Sequence, residues 1–329
     1  MKGIQAKKYY LFASFLVILV TIALYKGVDV VASITQEPKV LYQVYSVPAT
    51  SVPILKEKLY TEDQAATASA QTSLTYEVFA QSITAKSAYV EDLSTGTILF
   101  ERNSDRILLP ASTTKLMTAL IALEKYQLTD VVTVPELPKI NGLKYEFAQG
   151  EQITVADLIK AALIQSNNDA AYILAFHADT GIEGFVADMN KKAQELQLKS
   201  TQYKNPAGFD DDTQRSSARD LVILSKAFMQ HEFLASVVAT KEAVITDISG
   251  EYTHFLTTTH QLLGVDPTVI GIKTGTTQGA AQVLITQFKR NDKDIIVVVM
   301  GSEDRYLETT RLIDWVFDSY VWINPQDLI

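Results

Sequence analysis

No cysteine occurs in the 329 residues, which removes thiol nucleophiles, disulfides and thiolate metal sites together. Histidine is scarce. His177, His231, His254 and His260 are the four present, and none falls in the HExxH spacing of a zinc hydrolase, so they read as structural or surface residues. Positive charge is in deficit, with 29 Lys and Arg against 38 Asp and Glu for a net charge of −9. Nucleic acid is therefore not expected as a partner, because phosphate backbones are held by clustered cations that displace counterions. What is plentiful is apolar. At 47% hydrophobic and 20% charged residues, the chain can bury the core of one large domain or two smaller ones.

One long apolar run is present, Tyr9–Tyr25 (YYLFASFLVILVTIALY), preceded by Lys2, Lys7 and Lys8. Its length is at the short edge of a membrane span and exceeds a usual cleaved signal core. It reads as a transmembrane signal-anchor over 9–25, with the basic segment 1–8 held on the cytoplasmic side. Secretion after cleavage near Ala32 is the alternative. Residues 26–73 contain Pro38, Pro48, Pro53 and the polar stretch TEDQAATASAQTS, and read as an extracytoplasmic spacer or as chain packed partly on the domain that follows. That domain is expected over 74–329.

Within it, SAYVEDL and TILFER flank a Ser94-Thr95-Gly96 turn and predict a hairpin. Helical spacing follows over Ser112–Gln127, Val155–Gln165, Asp169–His177, Ile182–Leu196 and Ala218–Gln230, so a helical insert is expected over about 112–230. Strands are expected at Val269–Thr274, Gln282–Lys289 and Asp294–Met300, then a closing helix over Leu307–Trp322. Early and late strands sharing one antiparallel sheet imply an α+β, three-layer α/β/α sandwich. Terminal helices then cover one face and the helical insert the other, with a cleft between the two parts.

Three short patterns carry candidate chemistry. Ser112-Thr113-Thr114-Lys115 places a hydroxyl and an amine one helical turn apart, so a lysine of lowered pKa can activate the serine. A capping serine followed by a surface lysine has the same spacing. Ser166-Asn167-Asn168 lies between two predicted helices, where Ser166 can shuttle a proton and Asn168 can hold an amide. It also suits an ordinary interhelical turn. Lys273-Thr274-Gly275-Thr276 ends a β-rich run, where Lys273 and the threonine hydroxyls can hold a carboxylate and Gly275 admits a close backbone. A solvated hairpin is the plain alternative. Asp210-Asp211-Asp212 suggests calcium less than a solvated loop.

SxxK, SxN and KTG occur once each and in this order, beginning at Ser112, Ser166 and Lys273. With AYVEDLSTGTILFERN, PASTTKLMTALIALE, TQYKNPAGFDD and GIKTGTTQGAAQVLI, the sequence resembles the penicillin-recognising serine acyl-transferases over about residues 80–320. Among them it is similar to the low-molecular-mass D-Ala-D-Ala carboxypeptidases. The resemblance implies a β-lactamase/transpeptidase-like fold. It also implies attack by Ser112 on the penultimate D-Ala carbonyl, with Lys115 taking the proton and the amides of Ser112 and Thr276 forming an oxyanion hole. Ser166 and Asn168 then assist proton transfer and positioning, and Lys273, with Thr274 or Thr276, engages the substrate carboxylate. The implied partners are peptidoglycan stem peptides ending in D-Ala-D-Ala, with β-lactams as covalent inhibitors, in a bacterial cell envelope. No metal or cofactor is implied.

An endopeptidase or transpeptidase uses the same residues. A class A β-lactamase brings an ExxLN segment that AQELQLKSTQYKNPAGFDD lacks, and intact Ser112 and Lys115 argue against a non-catalytic peptidoglycan-binding protein. Two departures from the family pattern stand out. Ala207 replaces a histidine common after the proline, and Ala281 replaces a glycine often found after the KTG segment. The catalytic domain is expected to finish near Trp322, which leaves anchoring to the amino-terminal segment.

Overall fold

A computed structural model describes residues 51–56, 76–136 and 146–324. The anchor expected at 9–25, the basic segment 1–8 and most of the 26–73 stretch lie outside the described residues. Among the described residues, no single helix is long and apolar enough to cross a membrane.

The strands are β1 (Val52–Leu55), β2 (Ser87–Asp92), β3 (Thr97–Arg102), β4 (Val131–Thr133), β5 (Gln152–Thr154), β6 (Glu242–Thr246), β7 (Thr253–Thr257), β8 (Val269–Thr277), β9 (Ala281–Arg290), β10 (Lys293–Ser302) and β11 (Tyr320–Ile323). The helices are α1 (Lys115–Lys125), entered through a 3-10 turn at Ala111–Thr114, α2 (Val155–Ile164), α3 (Asn168–Phe176), α4 (Gly181–Glu195), α5 (Ala218–Met229), α6 (Glu232–Val238) and α7 (Arg305–Ser319).

Five strands form one sheet in the order β3-β2-β10-β9-β8, antiparallel throughout, so the early hairpin joins the late strands as expected. The middle strand β10 shows why both faces are covered. Successive side chains of a strand point to opposite faces. Ile295, Val297 and Val299 pack with Leu312, Ile313, Trp315 and Val316 of α7, while Ile296, Val298 and Met300 join the core shared with the helical layer. A strand apolar at every position has no face to give to water. The result is the predicted three-layer arrangement. On the α7 side, Phe79 and Phe100 pack their rings against Trp315 at 5.2 and 5.6 Å.

Helix α1 is the axis of the helical layer, with every residue from Lys115 to Ala122 buried. A helix apolar on nearly all sides belongs inside, wrapped by others. Its neighbours begin at conventional caps: the Thr154 and Ser217 hydroxyls accept from the Asp157 and Asp220 amides, and Asn167 Oδ1 accepts from the Ala170 amide.

The carboxyl-terminal end of the fold differs from expectation. The closing helix stops at Ser319 rather than Trp322, because Tyr320–Ile323 turns extended and pairs antiparallel with β1. Trp322 is fixed there by donating Nε1–H to Asp92 Oδ2 at 2.7 Å and by packing on Phe317 at 5.2 Å. Strand β1 lies inside the 26–73 stretch, and its pairing with β11 fits the reading of that stretch as chain packed partly on the domain that follows. The hairpins β4–β5 and β6–β7 are further additions to the expected elements; each is short and half exposed, so its apolar pattern is weak.

Candidate active site

The SxxK pattern sits where the 3-10 turn becomes α1, so the regular helix begins at Lys115 and not at Ser112 as expected. Ala111 enters the turn at φ +50°, and the NPAG loop packs directly on it. A Cβ at Gly208, itself at φ +91°, would lie 1.9 Å from the Ala111 carbonyl oxygen, so only glycine fits. Asn205 Oδ1 folds this loop by accepting from the Gly208 and Phe209 amides at 2.7 and 3.0 Å.

That loop supplies a group no sequence motif announces. Lys115 Nζ contacts Ser112 Oγ at 3.0 Å, Asn168 Oδ1 at 2.8 Å and the Ala207 carbonyl oxygen at 2.7 Å. Lys115 is 0% exposed, and burial, followed by the nearby Lys273 charge, holds its amine well below the ordinary lysine range. A neutral amine has two N–H donors and one lone pair. The amide oxygen of Asn168 and the Ala207 carbonyl only accept, so they take both donors. The lone pair is left facing the Ser112 hydroxyl, the geometry of a general base on its nucleophile.

The SxN pattern spans the break between α2 and α3. Ser166 adopts φ +61°, a left-handed conformation that a serine occupies at a cost of about 1–2 kcal/mol. It directs Oγ to within 2.8 Å of Lys273 Nζ. Asn167 faces away to cap α3, while Asn168 opens the helix and reaches Lys115. The two lysines thus receive one side chain each from the same loop.

The KTG pattern lies on β8, the edge strand of the sheet. Lys273 is 1% exposed, and burial, followed by the Arg305 charge, lowers its pKa to about 7. Besides Ser166 it donates to the Thr274 carbonyl at 3.0 Å. Gly275 is where β8 meets the nucleophile turn: a Cβ there would stand 2.9 Å from Ala111 Cβ and 3.0 Å from the Ser112 amide nitrogen. Strand and nucleophile backbone approach closely because that side chain is missing.

Arg305, at the start of α7, is a second group the sequence motifs did not reveal. Its guanidinium donates to the Gly275 carbonyl at 2.8 Å and to Thr276 Oγ1 at 2.6 Å. Thr274 Oγ1 pairs with Thr259 Oγ1 at 2.6 Å, and Tyr306 donates to the Thr259 carbonyl at 2.7 Å. Lys273, Thr274, Thr276 and Arg305 therefore line one stretch of β8 with cations and hydroxyls, suited to a carboxylate. Of the histidines, His260 is buried against Thr286 and His254 pairs with Glu151, which agrees with structural roles. Asp210 is not simply solvated: it accepts from Thr277 Oγ1 and the Gly279 amide, stapling the NPAG loop to the β8–β9 turn.

The sequence matches the family described as D-alanyl-D-alanine carboxypeptidase over residues 67–304. D-alanyl-D-alanine carboxypeptidase DacF of Bacillus subtilis is 34% identical over 245 residues, 72% of this chain and 63% of that protein. DacC of Escherichia coli is 34% identical over 263 residues, 75% of this chain and 65% of that protein. This chain thus spans just under two thirds of the length of these two carboxypeptidases. A D-alanyl-D-alanine endopeptidase of Pseudomonas aeruginosa is 33% identical over 252 residues, 74% of this chain and 81% of that protein. Among solved structures, a streptomyces DD-transpeptidase mutant superposes with TM-score 0.68 at 26% identity, covering 72% of this chain and 98% of that one. A Listeria monocytogenes penicillin-binding protein in its cefotaxime-bound form gives 0.63 at 28% identity, covering 71% and 98%. The fold is that of the DD-transpeptidases and penicillin-binding proteins. With a family match running from residue 67 to 304, and two carboxypeptidases 34% identical to it along most of its length, the chain belongs to the D-alanyl-D-alanine carboxypeptidase family.

Proposed function

We propose that the protein removes the terminal D-alanine of peptidoglycan stem peptides ending in D-Ala-D-Ala, through an acyl-enzyme on Ser112. The observation that carries this reading is the Lys115 amine, buried and held between Asn168 and the Ala207 carbonyl with Ser112 Oγ 3.0 Å away.

The free carboxylate of the peptide docks against Lys273, Thr274, Thr276 and Arg305, which places the preceding carbonyl over Ser112. Lys115 takes the Ser112 proton as Oγ bonds to the carbonyl carbon. The oxyanion turns to the backbone amides of Ser112 and Thr276, beside the close approach at Gly275. Collapse breaks the C–N bond, and the leaving D-alanine amine takes a proton relayed through Ser166 from Lys273, 2.8 Å apart. Lys115 then passes its proton by way of the Ser166 hydroxyl to Lys273, which restores both lysines; neutral again, it deprotonates the water that attacks the ester, and it returns that proton to Ser112 Oγ as the ester bond breaks.

The same nucleophile suits β-lactams; the Listeria relative occurs in cefotaxime- and ampicillin-bound forms. A second reading, cleavage of D-Ala cross-links as an endopeptidase, is favoured by one observation: the match covers more of the Pseudomonas endopeptidase than of the carboxypeptidases. The apolar run at 9–25 supports tethering of the catalytic domain to the membrane, testable by fractionating cells that express the full chain with and without that run.

The functional test pairs wild type with Ser112→Ala. Intact mass is read after exposure to a fluorescent penicillin, and free D-alanine after incubation with a diacyl-D-Ala-D-Ala peptide. Adduct and D-alanine release, both lost in the variant, support the carboxypeptidase. Adduct without release, and cleavage of cross-linked dimers instead, favours the endopeptidase. A wild type that gives no adduct and releases no D-alanine removes the Ser112 mechanism.

A further inference from the structure

Ser166 does not hold its left-handed backbone unaided. The residues on either side of it, Gln165 and Asn167, send their side-chain amides to the same carboxylate oxygen, Oε2 of Glu146, at 3.3 and 2.8 Å. Glu146 thus bridges over Ser166, touching both of its chain neighbours. Asn167 is held from both ends, since its Oδ1 accepts from the Ala170 amide at 2.8 Å and its own backbone amide donates to the Ala161 carbonyl at 3.1 Å.

The bridge has a foundation. The Glu146 and Phe147 amides both donate to Asp169 Oδ2, at 2.7 and 3.1 Å, and Asp169 is fully buried within α3. Further along the same loop, Glu151 Oε2 accepts from the Ala148 amide at 3.0 Å, and Phe147 packs on His254 at 4.5 Å. The loop carrying Glu146 is therefore fixed to the helix that begins with Asn168, and through it to the two side chains that reach the catalytic lysines.

Resting on the peptidase reading above, we infer that Glu146 is a positioning residue of the Ser166 loop. Its carboxylate, acting through Gln165 and Asn167, keeps Ser166 Oγ on Lys273 and Asn168 Oδ1 on Lys115. Glu146 is exposed and its partners are the loop amides, so its effect falls on the geometry of proton transfer and not on the carboxylate-binding groups of β8. Displacement of a reacting group by about 1 Å can slow a step by about a hundredfold. A loop that loses one of several restraints shifts less.

The test compares wild type, Glu146→Ala, Glu146→Gln and Gln165→Ala in D-alanine release and in the acylation rate with fluorescent penicillin. Glu146→Ala is expected to lower kcat and the acylation rate about tenfold, with KM within about twofold. Glu146→Gln keeps an amide oxygen for the same two donors and is expected to recover most of the rate. Gln165→Ala is expected to give a smaller loss than Glu146→Ala, since Asn167 keeps its own bond to Glu146. A kcat in Glu146→Ala equal to wild type, or an equal loss in Glu146→Gln, overturns the inference. An active wild type with indifferent variants removes this inference alone, whereas a wild type inert in both assays removes the peptidase reading and this inference with it.

Discussion

The charge of Lys273 lowers the basicity of Lys115: after burial itself, it is the cause that holds the Lys115 amine below the ordinary lysine range. The two lysines thereby divide their duties. The site favours one positive charge over two, and on the proposed mechanism that charge falls to Lys273, which holds Ser166. The pH dependence of kcat/KM is expected to be bell-shaped, rising as Lys115 loses its proton and falling as Lys273, with a pKa of about 7, loses its own. A steady-state profile on a diacyl-D-Ala-D-Ala peptide, carried through pH 7, measures the falling limb. A rate that climbs without turning contradicts the role given to charged Lys273.

Lys273 also leaves a mark on stability. Its pKa is about 7 in the folded protein against an ordinary 10.5, so between these values the unfolded chain binds the extra proton. Stability from this source therefore rises as pH increases through that window, and is lowest below about 7. Lys273→Met removes the titration. Urea unfolding at several pH values is expected to show a slope smaller by about 1.4 kcal/mol per pH unit in the middle of the window, with activity lost. An unchanged slope means that Lys273 is not buried as a depressed lysine.

Arg305 donates to Gly275 and Thr276 from outside all three motifs. Arg305→Ala is expected to raise KM for D-Ala-D-Ala peptides about tenfold while kcat falls less, since a charge-assisted hydrogen bond contributes about 1.5–3 kcal/mol. Equal KM values in variant and wild type place the carboxylate elsewhere.

Ala281 stands at φ +55°, which gives the departure from the family's glycine a physical consequence. A Cβ in the left-handed region strains the backbone, and glycine relieves that strain while adding unfolded-state entropy. Ala281→Gly is expected to stabilise the fold by about 0.5–1 kcal/mol, raising Tm by a few degrees. Calorimetry showing a lower Tm refutes this account of the turn.

The parts of the site that were legible in the sequence are those where a side-chain type is the function. Ser112, Lys115, Ser166, Asn168 and Lys273 are a hydroxyl, an amine or an amide at set intervals, and the structure joins Lys115 to Ser112 and Asn168, and Lys273 to Ser166. The strands of the five-stranded sheet were legible because β9 and β10 are short β-rich runs bounded by turn residues, Arg290-Asn291-Asp292 between them. The Ala207 carbonyl was not, because every residue has a carbonyl and only the fold of the Asn205 loop aims this one. Glu146 and Arg305 reach the site from distant chain positions, so no local spacing connects them to it. Tyr320–Ile323 read as helix because its alternation is short and its partner, β1, lies at the opposite end of the described chain.

The claim on which the mechanism turns is that Lys115 is neutral where it meets Ser112. The most direct measurement is an NMR titration of the lysine side chains in isotope-labelled protein, with the Lys115 resonance assigned from Lys115→Ala and recorded also in Ser112→Ala. The Lys115 midpoint is expected well below 10.5, moved upward when Lys273→Met removes the neighbouring charge. A midpoint near 10.5 leaves Ser112 without a base at neutral pH and contradicts the account.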